Sequence, residues 1–412
     1  MFYDLIVIGG GPTGMMAAGR AAELGAQVLL LEKNKNLGIK LLSTGHSRCN
    51  LSNAVPIREL INSFGENGKF LFSAFSKFGP EEVIDFFNER GLETKIEKNN
   101  RVFPKSDKSA DVLKTLAAYL KENKVKIIFE ANVKKITEKN QIISKVSLVD
   151  GREFSAKNYL IATGGLSYST TGSTGDAYKW LKSLGHKIIK TYPALAPIIV
   201  REKFVKELEG LSLVDAEFTL KKDDKILNKK RGEAIFTADG LSGPVIFALS
   251  ANAAKNLPEV ELIIDLMPEK KLSELDQYWQ EKFNFQQNKQ IKNVLGEIFP
   301  SRLAEKILEI AGIDLTAKIN QINKFERKKI CAVIKNLNFK IIKVAGYDKA
   351  MLTTGGLDLK EVDQKTMSSK LIKNLLVAGE VLDLDGPTGG FNLQACWSTG
   401  RLAGESALIT NE

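Results

Sequence analysis

A glycine-rich turn near the start of the chain constrains the fold more than any other feature. Residues 2–8 form an apolar run of strand length, residues 9–14 read Gly-Gly-Gly-Pro-Thr-Gly, and residues 15–24 form an alanine-rich segment of helical character. A strand, a G-x-G-x-x-G turn and a helix in this order are typical of the first unit of a dinucleotide-binding fold. The sequence therefore predicts a Rossmann-like α/β domain.

Each glycine of the motif has a separate purpose, and a more distant acid completes the pattern. Gly9 permits a tight turn, Gly11 lets a pyrophosphate approach the backbone, and Gly14 lets the helix pack closely on the strand. A second apolar strand, residues 27–31, ends at Glu32, whose carboxylate can accept hydrogen bonds from an adenosine ribose. The alternative interpretation is a glycine-rich turn in an ordinary α/β protein.

Length and composition limit the classes of protein that remain. A chain of 412 residues is long enough for two or three domains. No apolar stretch approaches the roughly 20 residues that span a bilayer. The three cysteines, Cys49, Cys331 and Cys396, are far apart and odd in number, which indicates a reducing compartment. The two histidines, His46 and His186, are too few for a metal site built from several imidazoles. We expect a cytoplasmic protein without a metal site.

Two further segments have the composition of ligand-binding loops. Residues 37–50 are rich in glycine, small hydroxyls and cationic side chains, so they suit a loop that contacts polar groups of a ligand. A strand at residues 159–162 runs into Thr163-Gly164-Gly165, where small side chains allow a ligand to come close. Val133, just after a strand, either flanks an adenine ring or is an ordinary strand residue.

The end of the chain repeats the opening pattern. Residues 375–378 form a buried type of strand, which is followed by Gly379-Glu380, a glycine-rich turn at residues 386–390 and a helix over about residues 393–409. N–H groups at such a turn can bind the pyrimidine edge of a flavin. We therefore predict a discontinuous nucleotide-binding domain, residues 1–190 and 344–412, interrupted by an insert at 191–343 that has strands first and helices afterwards.

The net charge of +10 includes a basic stripe in the last helical part of the insert. The stripe comprises Lys324, Arg327, Lys328, Lys329 and Lys335, with Glu326 as the single acid. A basic surface can bind a polyanion such as RNA, and a solvated helix face is the equal alternative.

Taken together, these motifs resemble a family of bacterial flavoproteins, the group that includes BaiN, RdsA and aminoacetone oxidase. The matching segments run through the chain at residues 9–14, 38–53, 162–176, 236–244 and 378–404. Arg48-Cys49-Asn50 and the sequence at 385–390, Asp-Gly-Pro-Thr-Gly-Gly, are the most specific of them. The resemblance implies a two-dinucleotide-binding-domain type of fold and a bound FAD.

The resemblance also implies which residues hold the cofactor. The ADP half is assigned to Gly9, Gly11, Gly14 and Glu32, and the adenosine side also to Thr163 and Gly164. Residues along the pyrophosphate and the flavin are Lys40, Gly45, Arg48 and Asn50, and those at the ribityl chain and ring are Gly379, Glu380, Gly390, Asn392 and Leu393.

The chain departs from the family pattern at a few positions. The family usually has glycine or asparagine where His46 stands and glycine where Ser47 stands. Histidine is common in place of Ala238, an acid in place of Ser368, and an apolar aromatic near Cys396. Because of these departures, the family motifs do not identify the substrate of this chain.

The leading interpretation is an NAD(P)H-driven, FAD-dependent reductase of an activated C=C bond, with a uridine of 23S ribosomal RNA as the favoured substrate. Reduction of uracil requires an acid that protonates C5, and Cys49 is the candidate, with His46 beside it. A small buried residue in a tight loop is the alternative interpretation of Cys49.

The alternatives for the whole protein are an oxidase or reductase of a small molecule, such as an aminoacetone-like amine or an enone, and an RNA-binding flavoprotein without turnover. The sequence contains no second G-x-G-x-x-G for a nicotinamide nucleotide, and it leaves the oligomeric state open.

Overall fold

The computed structural model describes residues 2–45 and 47–408. It contains nineteen strands within these ranges. They are β1 (Tyr3–Ile8), β2 (Val28–Leu31), β3 (Ser52–Asn53), β4 (Thr94–Glu97), β5 (Arg101–Pro104), β6 (Lys126–Ile128), β7 (Val133–Lys139), β8 (Ile142–Leu148), β9 (Glu153–Phe154), β10 (Ala156–Ile161), β11 (Ile188–Ala194), β12 (Ile198–Val200), β13 (Ser212–Lys222), β14 (Lys225–Thr237), β15 (Gly240–Ser242), β16 (Glu261–Asp265), β17 (Leu337–Val344), β18 (Leu352–Leu357) and β19 (Leu375–Val377).

Thirteen α-helices connect or follow the strands in the same ranges. They are α1 (Pro12–Glu23), α2 (Ile39–Leu42), α3 (Ile57–Asn62), α4 (Phe72–Lys77), α5 (Pro80–Glu89), α6 (Ser109–Glu122), α7 (Asp176–Ser183), α8 (Pro244–Asn256), α9 (Leu272–Asn284), α10 (Ile291–Gly296), α11 (Ser301–Ala311), α12 (Lys324–Lys335) and α13 (Phe391–Ser406). Among the described residues, no helix has the length and apolar character that crossing a bilayer requires.

The chain divides into two compact units. One comprises the described residues up to Pro193 and those from Tyr347 onward, and the other comprises Ala194–Gly346. These boundaries lie three residues from the positions expected from the sequence. The first unit is therefore built from both ends of the chain.

The first unit is organised around a five-stranded parallel sheet in the order β19-β10-β1-β2-β6. The central strands are almost entirely apolar and buried, as expected when both faces of a parallel sheet are covered. Helix α13 packs closely on α1 because its contact positions are glycines: a Cβ on Gly400 or Gly404 would lie 2.5 Å from the carbonyl oxygen of Thr13 or Ala17. The last helix is thus held against the first.

The second unit contains a closed six-stranded barrel in the order β12-β15-β14-β13-β16-β17. Antiparallel pairing of Ile198 with Val344 joins the first barrel strand to the last. Buried Phe218, Phe236 and Phe339 contribute to its core, and α9–α12 precede the closing strand β17. The sequence predicted strands followed by helices, but it did not predict that a strand after the helices would close a barrel.

Candidate functional site

The three motif glycines occupy different environments at the turn between β1 and α1. A Cβ on Gly9, whose φ is +109°, would lie 2.6 Å from the carbonyl oxygen of Ala162 at the end of β10. A Cβ on Gly14 would lie 1.8 Å from the carbonyl oxygen of Gly9. Gly11 faces open space, with no atom within 4 Å of a Cβ. Two glycines therefore allow tight packing, and the third leaves room beside the N-terminus of α1.

Glu32 is tied to this turn by its carboxylate. Oε2 accepts a hydrogen bond from the Gly10 N–H at 2.7 Å, and Oε1 accepts one from the Asn34 N–H at 2.7 Å. The residue is buried. Because each carboxylate oxygen has a second lone pair, the group can still accept hydrogen bonds from ribose hydroxyls.

A cleft opens where β1, β2, β10 and β19 end, which is where open parallel sheets bind ligands. It encloses about 1390 Å³ of space between protein atoms, including solvent at its mouth. Eleven of the residues expected to hold the cofactor line it: Gly9, Gly11, Glu32, Lys40, Val133, Thr163, Gly164, Gly379, Glu380, Asn392 and Leu393. The structure thus brings together residues from both ends of the chain.

The remaining expected site residues do not line the cleft. They are Gly14, Gly45, Arg48, Asn50, Gly390 and Cys49. Arg48 instead donates from Nη2 to Glu97 Oε1 and from Nε to Asp107 Oδ1 at 2.9 Å. The bond from Arg48 lowers the pKa of Glu97 below its usual range. Two carboxylates therefore hold the guanidinium that was expected beside pyrophosphate and flavin.

Cys49, the expected proton donor, is fully buried. Burial raises the pKa of its thiol to about 12, so the thiol is a weaker acid than an ordinary cysteine. His46, expected beside it, lies outside the described residues. Of the other unusual positions, Ala238 lies in the exposed turn after β14 and Ser368 is half-buried beside β19, and neither lines the cleft.

Helix α13 contributes a side of the cleft that was not predicted from the sequence. Ala395, Cys396 and Thr399 line it together with Asn392, at a spacing of three, four and seven residues. That spacing places side chains on one face of a helix, so it was a signal available in the sequence. Burial raises the pKa of Cys396, which lies beside the Thr13 hydroxyl, to about 11.

A connected polar network stands in the cleft wall. Lys40 Nζ donates to Glu380 Oε2 at 2.6 Å and to Ser167 Oγ at 2.8 Å. Glu380 Oε1 accepts from Ser167 Oγ at 2.7 Å and from the Thr353 N–H at 3.1 Å. Since an ammonium has three donors, one N–H of Lys40 is left beyond these two bonds.

The turn before α13 is shaped by glycines and held by asparagines. Gly390, with φ at +100°, leaves so little room that a Cβ would lie 2.2 Å from the Ser52 carbonyl oxygen. Asn392 accepts from the Gly386 N–H at 2.8 Å, and Asn53 Nδ2 donates to the Gly389 carbonyl at 2.9 Å. The turn is therefore fixed against the strand that contains Asn53.

These residues fit FAD. The α1 N-terminus beside Gly11 suits a pyrophosphate, and Glu32 suits a ribose. In addition, Thr163 Oγ1, a buried oxygen of a residue that lines the cleft, has no hydrogen-bond partner among the described residues. Buried polar atoms are rarely left without a partner, so this hydroxyl indicates a ligand that can form a hydrogen bond with it.

Comparisons with known proteins agree with this site. Residues 3–406 match the family model described as HI0933-like protein Rossmann domain. The chain is 32% identical over 408 residues to the 3-dehydro-bile acid delta(4,6)-reductase of Clostridium scindens, which covers 97% of this chain and 98% of the relative. It is 26% identical over 397 residues to the ribosomal RNA dihydrouridine synthase of Escherichia coli, with 96% of each chain covered.

The fold is also similar to that of a solved flavoprotein. The open conformation of a flavocytochrome c3 fumarate reductase has a TM-score of 0.54 at 16% identity, with 98% of this chain and 77% of that chain covered. The Rossmann-like FAD-binding fold and the family resemblance predicted from the sequence are confirmed. The chain belongs to the HI0933-like family of Rossmann-fold flavoprotein oxidoreductases.

Proposed function

We propose that this FAD-dependent oxidoreductase uses NAD(P)H to reduce a carbon–carbon double bond, and that its substrate is a uridine of 23S ribosomal RNA. The reaction class is supported by two relatives that match nearly the whole chain, one named a delta(4,6)-reductase and the other a dihydrouridine synthase. Both names describe the addition of two hydrogens across a C=C bond that is conjugated to a carbonyl group.

The chain's own residues would bind and orient the cofactor. Glu32 and the turn around Gly11 hold its ADP half, and the wall formed by α13 and Glu380 borders the rest of the cleft. When bound, FAD supplies hydride transfer, with NAD(P)H as the proposed donor. Lys40 is paired with Glu380 but has one N–H left to donate, through which it can stabilise negative charge that develops during reduction.

The choice of an RNA substrate is supported by charge. The chain carries 59 basic and 49 acidic residues, and a positive surface attracts phosphates. A uracil within RNA would have to be unstacked before it could enter a cleft. A ribosomal RNA substrate also implies that the protein works in the cytoplasm.

The deciding experiment maps dihydrouridine in 23S ribosomal RNA by mass spectrometry. RNA from a strain that lacks this gene should lose one modified position, and the purified protein with FAD and NAD(P)H should restore it. A complementing Glu32→Ala variant should restore it poorly, because its flavin is held weakly. An unchanged map in the deletion strain would contradict the RNA substrate.

A small-molecule enone reductase is the second candidate. The observation that favours it is the higher identity to the bile acid reductase, 32%, against 26% and 29% to two ribosomal RNA dihydrouridine synthases. Anaerobic NAD(P)H oxidation that depends on a conjugated steroid ketone, together with an unchanged RNA map, would select this candidate. Oxygen consumption with an amine substrate would instead indicate an oxidase.

A further inference from the structure

Helix α12 has two faces of different character. Ile330, Cys331 and Ile334 are buried on its inner face. Lys324, Phe325, Lys328 and Lys329 are exposed and, at a spacing of one, four and five residues, lie on the opposite side of the helix; we call these four residues the outer face of α12. The basic stripe seen in the sequence is therefore divided between two environments.

Two basic residues of the stripe are engaged in the structure of the unit itself. Arg327 Nε donates to Asp276 Oδ1 at 2.8 Å, and both side chains are largely buried. Lys335 Nζ lies 2.5 Å from Asp265 Oδ2 and donates to the carbonyl oxygens of Met267 and Lys270. These two cations hold α12 in place, so they are not available to an external ligand.

The acid in the stripe is engaged as well. Glu326 Oε2 accepts from the Asn323 N–H at 2.9 Å, and Asn323 Oδ1 in turn accepts from the N–H groups of Phe325 and Glu326. This capping box directs the carboxylate to the start of the helix. Within the described part of the chain, Lys324, Lys328 and Lys329 form no ion pair; Lys324 and Lys328 act on the Asp276 carboxylate only at longer range, and that carboxylate is already paired with Arg327.

An exposed aromatic ring lies among these charges. Phe325 is 67% exposed, and Lys329 Nζ lies 4.8 Å from the centre of its ring. Aromatic rings beside cationic side chains are typical of surfaces that bind single-stranded nucleic acid, because bases stack on the ring while the cations contact phosphates. A membrane-binding helix would need several large apolar residues on this face, and Phe325 is the single one.

We propose that the outer face of α12 binds single-stranded RNA, with Phe325 stacking on a base and the three lysines contacting phosphates. The proposal rests on the proposed function, since it names the surface through which the ribosomal RNA substrate would be held. An acidic protein and an anionic membrane are the competing partners.

The test compares K324Q/K328Q/K329Q with the matched control K114Q/K121Q/K124Q, which removes the same charge from exposed positions on or just after α6. Binding of labelled single-stranded oligouridine to the FAD-loaded protein is measured between about 50 and 200 mM salt. The salt slope, d log Kobs/d log[salt], is negative, and its magnitude should be smaller by about two in the α12 variant, since three phosphate contacts are lost and each contributes about 0.7. The control should keep the wild-type slope.

A second variant separates stacking from charge. Phe325→Ala should weaken oligouridine binding roughly tenfold without changing the salt slope. Equal salt slopes for the α12 variant and the control would overturn the proposal. It would also be overturned if the α12 variant lost binding to phosphatidylserine vesicles but kept its binding to RNA. If the deletion strain keeps its dihydrouridine map while the α12 variants still lose RNA binding, the surface stands and the uridine substrate is wrong.

Discussion

Lys40 Nζ lies 2.6 Å from Glu380 Oε2, although the two residues are 340 positions apart in the sequence. The ion pair connects α2, near the first strands, to the end of β19, and both residues line the flavin cleft. Its side chains are 20% and 11% exposed. Because charges interact more strongly where water is partly excluded, this ion pair affects the electrostatic potential at a ligand bound beside it.

Lys40→Met should lower the midpoint potential of the bound flavin, because it removes a positive charge that stabilises the reduced, more negative form. It should also lower the free energy of unfolding by about 2 kcal/mol, less than the ~3–5 kcal/mol of a fully buried pair. Potentiometric and denaturant titrations measure the two effects. Lys40→Arg, which keeps the charge, should stay close to wild type, and an unchanged potential in Lys40→Met would contradict the assigned role.

Glu32→Ala should weaken FAD binding at least tenfold, about 1.4 kcal/mol, because the ribose acceptor and its two backbone bonds are lost. The ratio of flavin to protein absorbance after purification and the dissociation constant of added FAD measure the effect. Asp85→Ala removes an exposed acid from α5 and serves as the control. A Glu32→Ala protein that purifies fully yellow would refute the ribose contact.

Cys49 should make stability depend on alkaline pH. Burial raises the pKa of Cys49 from 9.0 to about 12, so the unfolded chain loses this proton before the folded protein does. The stabilisation is fully present below pH 9 and is lost as the pH rises toward 12. Wild type should therefore lose about 1 kcal/mol more than Cys49→Ala between pH 9 and 10. Denaturation curves of both proteins at the two pH values measure these losses, and equal losses in wild type and Cys49→Ala would contradict the prediction.

The same thiol should be dispensable for reduction. Cys49 is fully buried behind Thr44, to which its thiol is hydrogen-bonded, and does not itself line the cleft, so Cys49→Ala should keep kcat within about twofold, whereas general acid catalysis typically contributes 10²-fold or more. Stopped-flow measurement of flavin reoxidation by substrate reports the relevant step. A hundredfold loss in a variant that still binds FAD normally would restore Cys49 as the acid.

Ser369, His186 and Glu361 form a hydrogen-bonded chain that we expect to be structural. Ser369 Oγ lies 3.0 Å from His186 Nε2, and His186 Nδ1 lies 2.8 Å from Glu361 Oε2. The serine oxygen already accepts from the N–H groups of Leu371 and Ile372, so it is not a free nucleophile.

Ser369→Ala should therefore cost about 2 kcal/mol of stability, since buried donors lose their acceptor. Ser183→Ala, which removes an exposed hydroxyl from α7, should change the free energy of unfolding by less than about 0.5 kcal/mol. A fluorophosphonate probe should leave Ser369 unmodified, and its labelling would reveal a hydrolase site.

The parts of the site that could be predicted from sequence are those that depend on neighbouring residues. The turn from Gly9 to Gly14 and the acid at Glu32 follow from local geometry, because a strand, a glycine turn and a helix leave few ways to arrange the backbone. Arg48 could not be placed in this way. Its partners Glu97 and Asp107 are 49 and 59 residues away, and no local pattern shows which carboxylate a distant loop will bring to it.

The barrel shows the same limit on a larger scale. The closing strand β17 at residues 337–344 was not predicted, because its partner β12 lies at the other end of the insert. The register of such a pair is decided by the completed structure, whereas the first helix, expected over residues 15–24 and observed at Pro12–Glu23, is indicated by the local composition of the chain.

The strand order of the parallel sheet has a consequence for how the protein is made. Strand β10 lies between β1 and β19, so a nascent chain keeps one edge of β10 unpaired until translation has reached residues 375–377. Every strand of the barrel, up to Val344, has been synthesised by then. A stalled translation product would therefore expose an open sheet edge, which is a known route to aggregation, although all strands of its barrel are already present.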